Sequence, residues 1–297
     1  MFLKQTKCKI CRRRGITLLN LKFNNQKILN FFVSEYDKKI SNFLKKKIGN
    51  KNFILKKCSD CQFIWQKNMP TKFFLKQLYD YIIDPDESLK KSKKTTTFQI
   101  KNYEREINFI QNFYKKRKLN ILDFGAGWGA WLLVIKKQCP NIFAVELSSS
   151  RKKFLRSKEI ELINLEKLNK YKNFFDFVRL EQVLEHITNL DKIILDLKKT
   201  LKKDGILSIG VPDGKREIKY NIIDIKKGPI QPLEHLNCFS NKSLKLIFKR
   251  NGFKTMTTFE ILLTFLKTKK FDYHNVRFIL AMIKNSLLST KINFIKR

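Results

Sequence analysis

Four of the six cysteines fall into two Cys-x-x-Cys pairs, Cys8-Lys-Ile-Cys11 and Cys58-Ser-Asp-Cys61, with 46 residues between them. Such a knuckle sets two thiolates on one tight turn, at the bite of a tetrahedral zinc ion, and two knuckles close a four-thiolate site with no open position. Zinc held by Cys8, Cys11, Cys58 and Cys61 would therefore be structural. It would supply folding free energy that a short, lysine-rich segment cannot draw from a small core. The separation is longer than in common zinc fingers. A redox pair and a disulfide framework are the rival uses of this spacing, the latter uncommon in the cytosol. Cys139, beside Pro140, reads as a small hydrophobe.

A second constellation is Asp123-Phe-Gly125-Ala-Gly127-Trp-Gly129, which follows a short apolar run and opens a helix. Glycines in such a turn reach positive φ and let the backbone approach a ligand closely. Alone this is a weak signal, and a tight strand–helix turn without a ligand is the plain alternative. Two carboxylates sharpen it. Asp123, at the start of the loop, suits a ligand with a positive or hydroxyl-bearing part better than a pyrophosphate. Glu146 ends the next strand, where a carboxylate can take both ribose hydroxyls. A dinucleotide-binding loop would carry its third glycine one residue later.

These groups need a frame, and 297 residues are long enough for about two domains. From residue 120 onward, apolar strand patterns alternate with helical ones. Strands are expected at 120–124, 142–146, 160–163, 175–180 and 206–211, and extended chain at 253–263. Helices are expected at 98–116 behind Thr97, at 130–137, at 149–157, through Leu190–Leu201, and after Ser240. Gly205 takes the C-cap role after the helix ending at Leu201. Such alternation implies right-handed crossovers and a mostly parallel sheet. The expected division is a zinc-binding domain at 1–70, a linker and helical lead-in at 71–118, a main α/β domain at 119–266, and a basic tail at 267–297 that reads as helical.

In this order the motifs resemble the class I S-adenosylmethionine-dependent methyltransferases, over residues 119–253. The matching stretches are Ile121-Leu-Asp-Phe-Gly-Ala-Gly-Trp-Gly129, Ala144-Val-Glu146, Phe175-Asp-Phe-Val-Arg-Leu-Glu-Gln-Val-Leu-Glu-His186 and Leu201-Lys-Lys-Asp-Gly-Ile-Leu207. The last has Asp204 and one glycine where the family has Pro-Gly or Gly-Gly. The resemblance implies a Rossmann-like α/β fold with a seven-stranded-type, mostly parallel sheet, preceded here by a small zinc-ribbon-like domain. It implies S-adenosylmethionine as cofactor. Gly125, Gly127 and Gly129 would lie under its methionine part, Asp123 near its ammonium and Glu146 on its ribose. Asn164 is the candidate for the adenine amino group, and Glu181 and Gln182 would edge the point of methyl transfer.

Two Glu-His pairs, Glu185-His186 and Glu234-His235, follow the fourth and fifth expected strands, and a neutral imidazole is a competent base near pH 7. A structural hydrogen bond is the plain alternative for each histidine. Pro232-Leu-Glu-His235-Leu-Asn-Cys-Phe-Ser240 is similar to a segment of a bacterial methyltransferase group that carries an N-terminal four-cysteine zinc domain. That group includes C-methyltransferases of nucleotide-linked deoxysugars. By that resemblance Glu234 and His235 would assist deprotonation beside a keto group, with His186 and Tyr81 as further catalytic candidates. Tyr79 and Tyr81 match a Tyr-x-Tyr that recurs after the zinc domain. Ile82-Ile83-Asp84 departs from the small polar residues expected next, so C- and O-methylation both stay open.

The expected partner is a small acceptor, of the phosphorylated or nucleotide-linked sugar type. The formal charge of +37 tempts one toward nucleic acid. Yet 51 of the 63 basic residues are lysine and 12 arginine, spread over the whole chain. Abundant Lys, Asn, Ile and Phe point to A/T-rich codon bias, and a phosphate reader would favour arginine forks. A zinc-ribbon RNA methyltransferase is therefore the second reading, and a non-catalytic scaffold retaining the fold the third. No apolar stretch reaches the roughly 18–20 residues of a membrane span, and the N-terminus lacks the apolar region of a secretory signal, so a cytoplasmic protein is expected.

Overall fold

The computed structural model describes residues 1–36, 38–71, 73–75, 89, 96–115, 118–226, 228–266, 273–288 and 291–296. Contacts divide the chain into two compact units. Met1–Asp84, Leu184–Leu190 and Val211–Ile247 form the first; Pro85–Val183, Asp191–Gly210 and Phe248–Arg297 form the second. A linear cut near residue 70 therefore does not capture the units: two later segments return to the first.

In the first unit, β1 (Phe2–Lys4) pairs antiparallel with β5 (Asn68–Pro70). Strands β2 (Ile16–Lys22), β3 (Asn52–Lys57), β4 (Ile64–Gln66) and β11 (Asn237–Cys238) make a second antiparallel sheet in the order β11-β4-β3-β2. Along β3, Phe53, Leu55 and Lys57 are buried and the residues between them are half-buried, as the period-2 pleat requires. Helices α1 (Gln26–Glu35) and α2 (Lys38–Ile48) connect β2 to β3. Asn25 caps α1, its side-chain oxygen accepting from the Lys27 N–H. The core joins Phe23, Phe31, Phe32 and Phe53 to Ile230, Leu233 and Cys238, which explains why the 211–247 segment belongs here.

The second unit carries a seven-stranded sheet in the order β12-β13-β10-β9-β6-β7-β8. Its members are β6 (Ile121–Phe124), β7 (Ile142–Val145), β8 (Glu161–Leu162), β9 (Phe175–Glu181), β10 (Leu201–Gly210), β12 (Phe253–Thr255) and β13 (Lys291–Lys296). Strands β10, β9, β6, β7 and β8 run parallel, and β13 lies antiparallel between β10 and β12. The helices are α3 (Thr97–Tyr114), α4 (Ala130–Ile135), α5 (Ser149–Ser157), α6 (Leu190–Thr200), α9 (Thr258–Leu266) and α10 (Tyr273–Leu288). Helices α7 (Lys215–Tyr220) and α8 (Asn241–Arg250) complete the set, α8 running from the first unit's segment into the second's. The core of this unit includes Ile121, Trp131, Ile135, Ala144, Phe177 and Ile206.

Several expectations are corrected. Thr96, not Thr97, caps α3, in a reciprocal capping box with Gln99. Asp204, at φ 60°, takes the left-handed turn expected of Gly205; aspartate tolerates that conformation better than most side chains. Extended chain stops at Thr255, because Thr257 and Glu260 form a second capping box that starts α9. The tail is not helical throughout: α10 is followed by β13, which inserts beside β10. No helix among the described residues is long and apolar enough to cross a membrane.

Candidate functional site

The two cysteine knuckles adopt the same local geometry. The Cys8 N–H donates to Arg13 O and the Arg12 N–H to Cys8 O; the Cys58 N–H donates to Phe63 O and the Gln62 N–H to Cys58 O. Arg12 and Gln62, the residues just after each pair, both sit at positive φ, 66° and 64°. The turns bring the thiols together, with Cys8 Sγ 3.5 Å from Cys61 Sγ and Cys11 Sγ 3.3 Å from Cys58 Sγ. All four sulfurs lie within 4.8 Å of one another, and none is in a disulfide. The hydrogen bond with Cys61 pulls the Cys8 thiol down to about 6 and pushes Cys61 up. Four thiols converging at this distance fit a tetrahedral zinc ion.

In the second unit, the glycine loop leaves β6 where its neighbours are β7 on one side and β9 on the other. That reversal of strand order opens a crevice beyond the carboxyl ends of parallel strands, where ligands bind in open α/β sheets. Gly125, Gly127 and Gly129 all have positive φ. At Gly127 a Cβ would meet nothing within 4 Å, so bare backbone faces open space there. Glu146 reaches back from the end of β7 and clasps the loop. Its Oε2 accepts the Gly127 N–H at 2.8 Å, and its Oε1 accepts the N–H groups of Leu147 and Ser148 at 2.7 and 2.9 Å.

The remaining cofactor candidates are placed as follows. Asn164 follows β8, and its Oδ1 accepts the Glu166 N–H at 3.0 Å, capping the turn at Leu165–Lys170. Gln182 sits at φ 56° and donates its N–H to Gly210 O at 2.7 Å. Glu181 ends β9, 3.4 Å from Arg179 Nη2 and 3.2 Å from Lys291 Nζ. Gly210 lies so close to the Glu181 carboxylate that any Cβ there would collide with it. Asp123 is buried, and its Oδ1 lies 3.4 Å from Arg179 Nη1. Burial pushes the Asp123 carboxyl up to about 6, against the pull of Arg179.

Arg179 is the charged residue beside the glycine loop that the motifs did not indicate. It lies in the middle of a buried strand, close to Asp123, Glu181 and Glu106, with its guanidinium 5.0 Å from the Trp131 ring centroid. The signal was present: an arginine inside the otherwise apolar run Phe177-Val-Arg-Leu180 must find carboxylates.

The catalytic candidates gather in the first unit. The rings of His186 and His235 are 4.8 Å apart, edge to face. His186 Nδ1 lies 3.1 Å from Glu234 O, and His235 Nδ1 lies 3.2 Å from Pro229 O. A carbonyl can only accept, so each Nδ1 carries the proton and Nε2 is the basic nitrogen. Burial, with His235 nearby, pulls His186 down to about 4, and burial also lowers His235. Both imidazoles are thus neutral at pH 7. Tyr36 donates its hydroxyl to Glu234 Oε1, while burial raises the Glu234 carboxyl. Leu233, just before Glu234, is held at φ 70°, an unfavourable conformation for a bulky residue. Tyr36 had no sequence signal, being 198 residues away. Tyr81 lies outside the described residues.

Residues 96–258 match the family described as "Methyltransferase domain". That is more than half of the chain, and the chain belongs to this family: it carries an S-adenosylmethionine-dependent methyltransferase domain on a Rossmann-like α/β fold. The chain is 27% identical over 120 residues to (S)-coclaurine N-methyltransferase of Thalictrum flavum subsp. glaucum, covering 36% of this chain and 33% of that protein. The match thus spans about a third of that relative's length. Among solved structures, the chain is similar to the plantazolicin methyltransferase BpumL in complex with SAH, at 15% identity, 75% of this chain, 94% of that chain and a TM-score of 0.48. It is also similar to a putative sarcosine dimethylglycine methyltransferase from Galdieria sulphuraria, at 14% identity, 66% of this chain, 84% of that chain and a TM-score of 0.39.

Proposed function

We propose that the protein transfers a methyl group from S-adenosylmethionine to carbon or oxygen of a small carbohydrate-type acceptor, in phosphorylated or nucleotide-linked form. The observation that carries the cofactor reading is the clasp of Glu146 on a loop whose middle glycine faces open space. Gly125, Gly127 and Gly129 offer bare backbone to the methionine part, and Asp123 with Glu181 offers negative charge to its ammonium. Glu146 already accepts three N–H groups, and a carboxylate has about four lone-pair sites, so the ribose hydroxyls take the free site or displace a backbone donor. Asn164 would hold the adenine, and Glu181 and Gln182 would edge the transfer point. When bound, the cofactor supplies an electrophilic methyl carbon on a sulfonium.

On the acceptor side, Nε2 of His235 takes the acceptor's proton. With that proton removed, the acceptor atom would be the nucleophile toward the methyl group that the bound cofactor supplies. The bond from Nδ1 to Pro229 O fixes the imidazole for that task. Glu234, held by Tyr36, and His186 position it. The four thiols hold a structural zinc ion in the same unit as the base.

Because His235 and Glu146 belong to different units, their roles separate experimentally. His235→Ala should keep S-adenosylhomocysteine affinity while losing turnover. Turnover is read as labelled methyl transfer to a panel of sugar phosphates and nucleotide sugars. Methylation of tRNA or rRNA, with none of that panel methylated, would overturn the acceptor assignment.

A further inference from the structure

The second unit contains a cavity of about 770 Å³ between α3, α10 and the sheet strands β9, β10 and β13. That is within the size range of small-molecule sites, and none of the glycine loop, Glu146 or Asn164 lines it. Its walls are apolar, formed by Phe109, Phe177, Met256, Phe278 and Met282 among others. The charges on its floor are matched in number: Arg179 and Lys291 stand against Glu106 and Glu181, with separations of 3.2–3.9 Å.

The other charged lining residues are Lys101, Arg105 and Arg277, all cationic. Lys101 and Arg277 are exposed and Arg105 is half-buried. Among the described residues no carboxylate pairs with any of the three; Arg105 bonds only the side chain of Asn102, at 3.0 Å. One donor within the cavity also lacks a hydrogen bond, although Glu106 Oε2 faces it at 3.9 Å. The Arg179 Nε–H is buried and meets no hydrogen-bond acceptor among the described residues, although the side chain is only 9% exposed. A buried donor of this kind calls for an acceptor oxygen from outside the chain.

We propose that this cavity is a ligand site for an amphiphilic anion. The ligand's apolar portion lies against Phe109, Phe177, Phe278 and Met282, an oxygen accepts from Arg179 Nε, and a phosphate or carboxylate group sits at Lys101, Arg105 and Arg277. The site also meets the methyl-transfer machinery: Glu181 is in its wall, and Arg179 contacts Asp123 at the root of the glycine loop. The occupant is then an apolar-tailed sugar phosphate, the phosphorylated acceptor class proposed above with an added apolar chain. That last assignment rests on the methyltransferase reading; the site itself does not.

The test is calorimetric titration of the full chain with decyl phosphate below its micelle concentration, with decyltrimethylammonium and uridine diphosphate as comparisons and S-adenosylhomocysteine in parallel. Decyl phosphate should bind once per chain, at least about tenfold more tightly than the cationic analogue. Arg277→Glu, on an exposed position, should weaken it by about tenfold and flatten its salt dependence. Met282→Trp, which fills the apolar end, should weaken it by a similar factor of about ten, and neither variant should change S-adenosylhomocysteine affinity. Equal binding of the cationic analogue, tighter binding of uridine diphosphate, or indifference to both substitutions would overturn the site. Decyl phosphate binding without S-adenosylhomocysteine binding would leave the site standing and remove the acceptor assignment.

Discussion

Asp123 and Arg179 are register partners on adjacent parallel strands, and their side chains meet, Nη1 to Oδ1, at 3.4 Å. The first residue of the glycine loop is thereby tied to the middle of β9. Arg179 also faces Glu106 and Glu181, so one buried cation holds three carboxylates that would otherwise repel. Removing it leaves buried charge uncompensated. Arg179→Met is expected to cost about 3–5 kcal/mol of stability, read from urea denaturation. A loss below about 1 kcal/mol, the worth of a surface pair, would mean that the network is not structural.

Gly127 separates ligand binding from folding. Its φ of 59° and open surroundings mean that an alanine there fits sterically and pays only the left-handed penalty, about 1–2 kcal/mol. Gly127→Ala is expected to stay folded by circular dichroism and to lose S-adenosylhomocysteine binding by at least about tenfold. Retained affinity would place the methionine part elsewhere.

The cysteine cluster makes a stoichiometric demand. Metal analysis of the purified chain should give about one zinc per chain, lost in Cys58→Ser. Because metal binding is coupled to folding, a strong chelator should lower the melting temperature of the wild type and leave Cys58→Ser unmoved. A metal-free wild type with unchanged stability would overturn the zinc assignment.

The half-buried histidines make stability depend on pH. His186 titrates near 4 in the folded chain and near 6.5 when unfolded. Between these values the unfolded state binds more protons, so the contribution of His186 falls as pH drops from about 6.5 to about 4. Asp123, raised to about 6, acts in the opposite sense: its folded form binds more protons between about 3.9 and 6. The two are separated by difference. His186→Gln should lose less stability than the wild type between pH 7 and pH 4.5, measured by denaturant titration at each pH. An unchanged difference across that range would show that His186 is not held neutral.

Much of the second unit was legible because its signals are local. Short apolar runs, glycines between strand and helix, and acidic residues at the ends of β6, β7 and β9 identify parallel strands and their turns. Extended chain after Phe253 was misread because the Thr257–Glu260 capping box, itself a local signal, outranks the apolar run that follows. The strand at Lys291–Lys296 was not legible: its place beside β10 is set by a pairing some 85 residues away. The same holds for the two units. Nothing near Ile230 or Leu233 announces that they complete the core around Phe31 and Phe53. The Glu-His motifs were visible, but their environment was not, since the Glu234 carbonyl that meets His186 lies 48 residues away and the Tyr36 hydroxyl that meets Glu234 lies 198 away.

The central claim is that Glu146 and the glycine loop hold S-adenosylmethionine. Isothermal titration with S-adenosylhomocysteine, comparing the wild type with Glu146→Ala, tests it most directly. Hydrogen bonds to a charged group are worth about 1.5–3 kcal/mol, so the substitution should weaken binding by about 10–100-fold. Saturable binding to the wild type with that loss in the variant is the expected result. Binding unchanged by Glu146→Ala, or no binding to either protein, would contradict it.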